Sequence, residues 1–182
     1  TRGFDVVRIP VKKDGRLDLD AMRCAVDEDT LLVSIQGANN EIGVIQPVRA
    51  VADIAHAMGA ACHCDAVQLL GKIPVSIDEL GADFVSFSSH KAYGPKGIGF
   101  LIIRNHVRQV AMSPLMFGGE QENGFRPGTL NVSGIVGTGV ACRLCSELVE
   151  GEMRRIVLLR GKLEEGIGDI APGARMVGSE SP

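Results

Sequence analysis

The sequence predicts an α/β fold, a mostly parallel sheet sandwiched by helices. Three observations predict it. Apolar runs of strand length alternate along the chain with segments whose apolar residues recur at helical spacing. The polar residues best suited to chemistry follow those runs, where the carboxyl ends of parallel strands would gather them on one rim. And 182 residues with 45% hydrophobic content are enough to bury one sizeable core.

The elements follow in order. Phe4 to Val11 alternates apolar and polar residues and reads as a first strand, closed by a turn at Asp14-Gly15. Leu19, Met22 and Val26 then recur at helical spacing, and Thr30 to Gln36 is a nearly continuous apolar run that reads as a second strand. Past a loop over 37–46, Pro47 suits the first turn of a helix striped by Val48, Val51, Ala52, Ala55 and Met58, which Gly59 ends. Residues 61–66 form a third strand, and Ser76 with Glu79 has capping-box spacing for a short helical turn, Ile77 to Leu80. Residues 83–89 and 97–104 read as strands on either side of a loop that holds Lys91. A glycine-rich segment, Gly118 to Gly128, leads into a long helical pattern from Val132 to about Ile167. Its apolar stripe is Val132, Val136, Val140, Leu144 and Leu148, and Gly134, Gly137 and Gly139 weaken its start.

Composition narrows the function classes. A formal charge of -3 without clustered Lys and Arg argues against a nucleic-acid partner. Five cysteines, odd in number and unevenly spaced, read as free thiols in a reducing compartment, so a cytoplasmic location is expected. No apolar run approaches membrane-spanning length and the first residues lack signal-peptide character, so no membrane partner is expected. The chain opens without an initiator Met and stops at "GSESP", which reads as an excerpt of a longer protein. No metal site is expected. Cys142 and Cys145 stand alone on the long helix, and Cys62 with Cys64 points away from His63 with Asp65.

The chemistry converges on Lys91. A partly desolvated lysine at a fixed position forms Schiff bases, the usual anchorage of pyridoxal phosphate. That cofactor asks for a carboxylate at its pyridine nitrogen, which Asp65 is placed to supply. Its phosphate asks for donors such as Ser88 and His90, and Asn40 and Gln68 can bond its ring hydroxyl. Each residue has a plainer reading. Lys91 can be a solvated loop lysine, Asp65 can cap a turn, and His90 can be a satisfied loop histidine. The absence of G-x-x-x-x-G-K-[ST] and G-x-G-x-x-G makes ATP and NAD poor alternatives.

Four stretches, "NNEIGVIQPV", "HCDAVQLLGKIPV", "SFSSHKAYGPKGIG" and "GGEQENGFRPGTLN", together resemble the cysteine desulfurases of the class V aminotransferase group. The resemblance implies an aspartate aminotransferase-like (fold type I) large domain, incomplete here. Residues 1–131 would be part of the cofactor-binding domain, 132–168 a long helix leading towards a small domain, and 169–182 the truncated start of that domain. It implies a pyridoxal phosphate enzyme that converts L-cysteine to L-alanine and passes sulfur, as an enzyme persulfide, to acceptors such as an iron-sulfur scaffold. Lys91 becomes the Schiff-base lysine and Asp65 the partner of the pyridine nitrogen. Gln68 and Asn40 lie beside the ring hydroxyl, Ser88 and His90 bind the phosphate, and Thr129 reaches the phosphate of the other subunit of a homodimer. His63 matches a position for which a packing role is expected. None of the five cysteines matches the family's nucleophile, so the excerpt alone is expected to be inactive. The segment "GGEQENGFRPGT" is also similar to selenocysteine lyase, so that enzyme or another class V lyase is the alternative within enzymes, and a non-catalytic fragment acting as a partner protein is the alternative outside them. Ser89, Cys64 and Val67 depart from the family's usual residues.

Overall fold

The computed structural model describes residues 3–104 and 112–178. Its elements run α1 (Leu19–Ala25), β1 (Leu32–Gln36), α2 (Val48–Ala57), β2 (Ala61–Asp65), α3 (Ile77–Leu80), β3 (Phe84–Ser88), β4 (Gly99–Ile103) and α4 (Val132–Ile170), with 3-10 turns at Ser89–Ala92 and Gln121–Gly124. Local chemistry sets the starts. The Asp18 carboxylate accepts from the Asp20 and Ala21 amides at 3.1 Å and so caps α1. Asn131 caps α4 through the Gly134 amide at 3.0 Å, and the Ser76 hydroxyl accepts from the Glu79 amide at 3.3 Å, as the capping-box spacing predicts. Pro47 stands at the N-cap of α2 rather than inside its first turn.

The four strands lie in the order β1-β2-β3-β4. β1, β2 and β3 are parallel, and β4 runs antiparallel to β3. Connection length explains the reversal, since a parallel return needs a crossover of about a dozen residues or more, and the stretch from Ser88 to Gly99 is shorter than that.

Alternation gives the sheet two unlike faces. Val33, Ile35, Cys62, Cys64, Val85, Phe87, Phe100 and Ile102 share the core with Val48, Val51, Ala52 and Ala55 of α2 and Met22 of α1. Phe87 and Phe100 stack there with centroids 4.8 Å apart. The opposite face carries Ser34, Gln36, His63, Asp65, Ser86 and Ser88, flanked by half-exposed Leu32 and Leu101. The predicted sheet and helices are present, but among the described residues this second face stays open.

Two sequence readings change. Phe4 to Val11 makes no strand. Val11 forms an isolated bridge with Leu17, while Phe4, Val6, Val7 and Val11 stay exposed. Alternation needs a neighbouring strand to pair with, and the segment finds none among the described residues. In α4 the helix forms across its glycines, but the stripe through Val132, Val136, Val140, Leu144 and Leu148 is exposed. The buried residues are Gly134, Thr138, Ala141 and Val149. Small side chains let the helix approach the rest of the fold closely, and that approach selects its packed face over hydrophobicity. α4 is also long and apolar enough, by length and composition alone, to pass as a membrane span, which the reading of apolar runs missed. Its contact with the Ser89–Ala92 turn gives its composition a different use.

Candidate functional site

β2 and β3 end side by side, and the candidate residues follow those ends. Asp65, the last residue of β2, is exposed on the open face, where its Oδ1 accepts from the Val67 amide at 3.0 Å. Gln68 is half-buried in the turn that follows. Across the β1–β2 pair, Asn39 builds the loop, its Oδ1 accepting from the Glu41 and Ile42 amides at 2.9 and 3.0 Å. Its neighbour Asn40 is exposed. The Asn pair therefore divides into one residue that shapes the loop and one presented by it.

Ser88 closes β3 and is the N-cap residue of the 3-10 turn that carries Ser89, His90, Lys91 and Ala92. His90 Nδ1 and Ser88 Oγ are 3.0 Å apart, which orients both side chains, and His90 and Lys91 are exposed. The turn ends on Tyr93 in the left-handed region at φ 61, a conformation that non-glycine residues hold only when neighbours fix it. The fixing contacts come from beneath. Ser89 is fully buried, its Oγ 2.9 Å from the Thr138 hydroxyl on α4, and Thr138 also donates to the Gly134 carbonyl at 2.8 Å. Gly94 leaves room for this pair, since a Cβ there would stand 2.1 Å from Ser89 Oγ. On the same side the Cys145 thiol faces the Ala92 carbonyl at 3.8 Å, and Gly71 accommodates its sulfur, which would be 2.6 Å from an added Cβ.

Three features escaped the sequence reading. Lys72 donates from Nζ to the Lys91 carbonyl at 3.0 Å, tying the turn after β2 to the turn after β3. Partial burial and then the charge of Lys91 lower its pKa. Ser89 and Thr138 lie 49 positions apart, and no local pattern links them. The third is the hydrogen-bonded row around His63, where the sequence suggested packing.

Thr129 is exposed just ahead of α4, and the Arg126 guanidinium reaches the carbonyls of Gly128 and Thr129 at 3.2 and 3.4 Å. Arg126 thus acts on the backbone that presents Thr129. Cys62 and Cys64 are buried on the core face, and burial pushes both thiols up to about 12.

An exposed lysine on the turn past β3 and a carboxylate ending the adjacent β2 thus share one end of an α/β sheet. The aminotransferase class-V family profile matches residues 1–179, and the chain belongs to that family. Within it, the chain is 47% identical over 166 residues to the cysteine desulfurase IscS of Anaeromyxobacter sp. (strain Fw109-5), covering 91% of this chain and 41% of that protein. It is 45% identical over 168 residues to the cysteine desulfurase IscS of Pectobacterium atrosepticum, covering 92% and 41%. The chain thus spans less than half the length of these curated relatives. Among solved structures, a NifS-like protein superposes with a TM-score of 0.88 at 44% identity, over 93% of this chain and 46% of that one. DndA from Streptomyces lividans superposes at 0.82 and 36% identity, over 91% and 47%.

Proposed function

We propose that this chain forms the lysine-bearing part of a pyridoxal phosphate enzyme that removes sulfur from L-cysteine and leaves L-alanine. The observation that carries the reading is the placement of Asp65 and Lys91 past the ends of adjacent parallel strands, in a chain of this family. The donor set fits the cofactor. It offers an amine for a carbonyl, a carboxylate on the open face for a ring nitrogen, and a hydroxyl with an imidazole for a phosphate.

Pyridoxal phosphate, when bound, supplies an electron sink that makes the bonds at an amino acid's alpha carbon labile. The Lys91 amine would hold the cofactor, and its Nζ would move protons to and from the substrate. Asp65 would keep a proton on the ring nitrogen. Ser88 and His90, already oriented towards each other, would donate to the phosphate. Asn40 and Gln68 would bond the ring hydroxyl, and Thr129 would reach the phosphate of a partner subunit in a homodimer. Lys72, through the Lys91 carbonyl, holds the turn in place.

Sulfur removal needs a thiolate that attacks the substrate sulfur, after which the persulfide passes to an acceptor such as an iron-sulfur scaffold protein. Cys62 and Cys64 do not suit that task, because both are buried with thiols near 12.

The test supplies the complete polypeptide with pyridoxal phosphate and measures alanine and sulfide from L-cysteine beside selenide from L-selenocysteine. Alanine and sulfide are expected, and Lys91→Ala is expected to lose at least about a hundredfold in rate. Turnover of L-selenocysteine alone would replace the substrate assignment. Turnover of neither would overturn the enzyme reading in favour of a partner protein.

A further inference from the structure

His63 lies in the middle of β2, and both of its ring nitrogens are engaged. Nδ1 is 2.8 Å from Ser34 Oγ on β1, and Nε2 is 3.0 Å from Ser86 Oγ on β3. The row crosses all three parallel strands on the open face. Asp65 stands two positions further along the same strand and face, about 7 Å away at the rise of a strand. Ser86 is its partner in the β2–β3 register. The ring does more than fill space, since it links the three parallel strands.

We propose that His63, tied to Ser34 and Ser86, is the positioning residue that aims the Asp65 carboxylate and leaves its charge to a cationic ring nitrogen. The inference rests on the proposed cofactor site and deepens it. The geometric part is that contacts on both sides of His63 tie β2 to its neighbours two residues before Asp65, whose Oδ1 the Val67 amide also holds. The electrostatic part follows from charge state. Partial burial lowers the His63 pKa, with Asp65 pulling the other way, so the imidazole is mostly neutral at neutral pH and above. A neutral ring makes one donor and one acceptor bond, and the two hydroxyls can supply both complements. A cation at that place would instead compete with the ring nitrogen for Asp65.

The test uses the complete polypeptide and reads pyridoxal phosphate affinity and the absorbance spectrum of the bound cofactor for two variants. His63→Gln keeps a neutral side chain that both donates and accepts, and is expected within about threefold of the parent affinity with an unchanged spectrum. His63→Lys puts a permanent charge beside Asp65. It is expected to weaken affinity about tenfold or more and to shift the spectrum. Equal behaviour of Gln and Lys overturns the electrostatic part of the proposal. Because a new cation there would act on Asp65 whatever His63 does, Ser34→Ala with Ser86→Ala reads the tether itself. That pair is expected to weaken affinity about threefold to tenfold, and unchanged affinity and spectrum overturn the proposal. A parent protein that binds no cofactor would overturn the proposed function itself, a result distinct from parent-like binding by every variant.

Discussion

Thr138→Val probes how α4 holds the lysine turn. The substitution keeps the size and branching of the side chain and removes the hydroxyl that lies 2.9 Å from Ser89 Oγ. Ser89 is fully buried, so its hydroxyl loses its described partner away from water, at about 1–3 kcal/mol. Ser89→Ala should cost less, about 0.5–1.5 kcal/mol, because Thr138 keeps its bond to the Gly134 carbonyl at 2.8 Å. Replacing both should cost less than the sum by about 1 kcal/mol, since neither hydroxyl is then stranded. The Gly94 amide, which donates to the Ser89 carbonyl at 3.0 Å, reports the opening of the turn by hydrogen exchange in the complete polypeptide. A loss of 1–2 kcal/mol would lower its protection by roughly 5- to 30-fold. Unchanged protection in Thr138→Val, or additive effects in the double variant, would refute the buttress.

Two other outcomes follow from the same geometry. Gly94→Ala should destabilise by about 1–3 kcal/mol in urea unfolding, because its Cβ falls 2.1 Å from Ser89 Oγ and 3.0 Å from the Ser89 carbonyl; parent-like stability would show that the turn has slack. In alkylation at pH 8, Cys62 and Cys64 should stay unlabelled until the fold opens. Their raised pKa values, about 12, leave almost no thiolate below that pH, and labelling should rise only as pH approaches it. Rapid native labelling of either would contradict their burial.

The sheet was legible in the sequence because buried strands announce themselves by composition. β1, β2, β3 and β4 all fall within the apolar runs, and α2 buries Val48, Val51, Ala52 and Ala55 of its predicted stripe, leaving Met58 exposed beyond its end. Strand ends were legible too, which is why Asp65 and the turn carrying Lys91 stood out before any coordinates. What escaped was set by close approach. The packed face of α4 depends on which side chains are small where it meets the lysine turn, and hydropathy marks the opposite face. The Ser34–His63–Ser86 row depends on register between strands, which one strand's pattern does not encode. Lys72 meets Lys91 only because two turns end side by side. The strand read at Phe4 to Val11 failed for the reverse reason, as its alternation is real but no described strand pairs with it.

The central claim is that Lys91 carries the cofactor, and covalent mapping tests it most directly. The complete polypeptide is loaded with pyridoxal phosphate, treated with borohydride to fix the lysine–cofactor bond, digested and analysed by mass spectrometry. The account predicts one modified site, Lys91. Modification at Lys72 or Lys96 with Lys91 unmodified would contradict it.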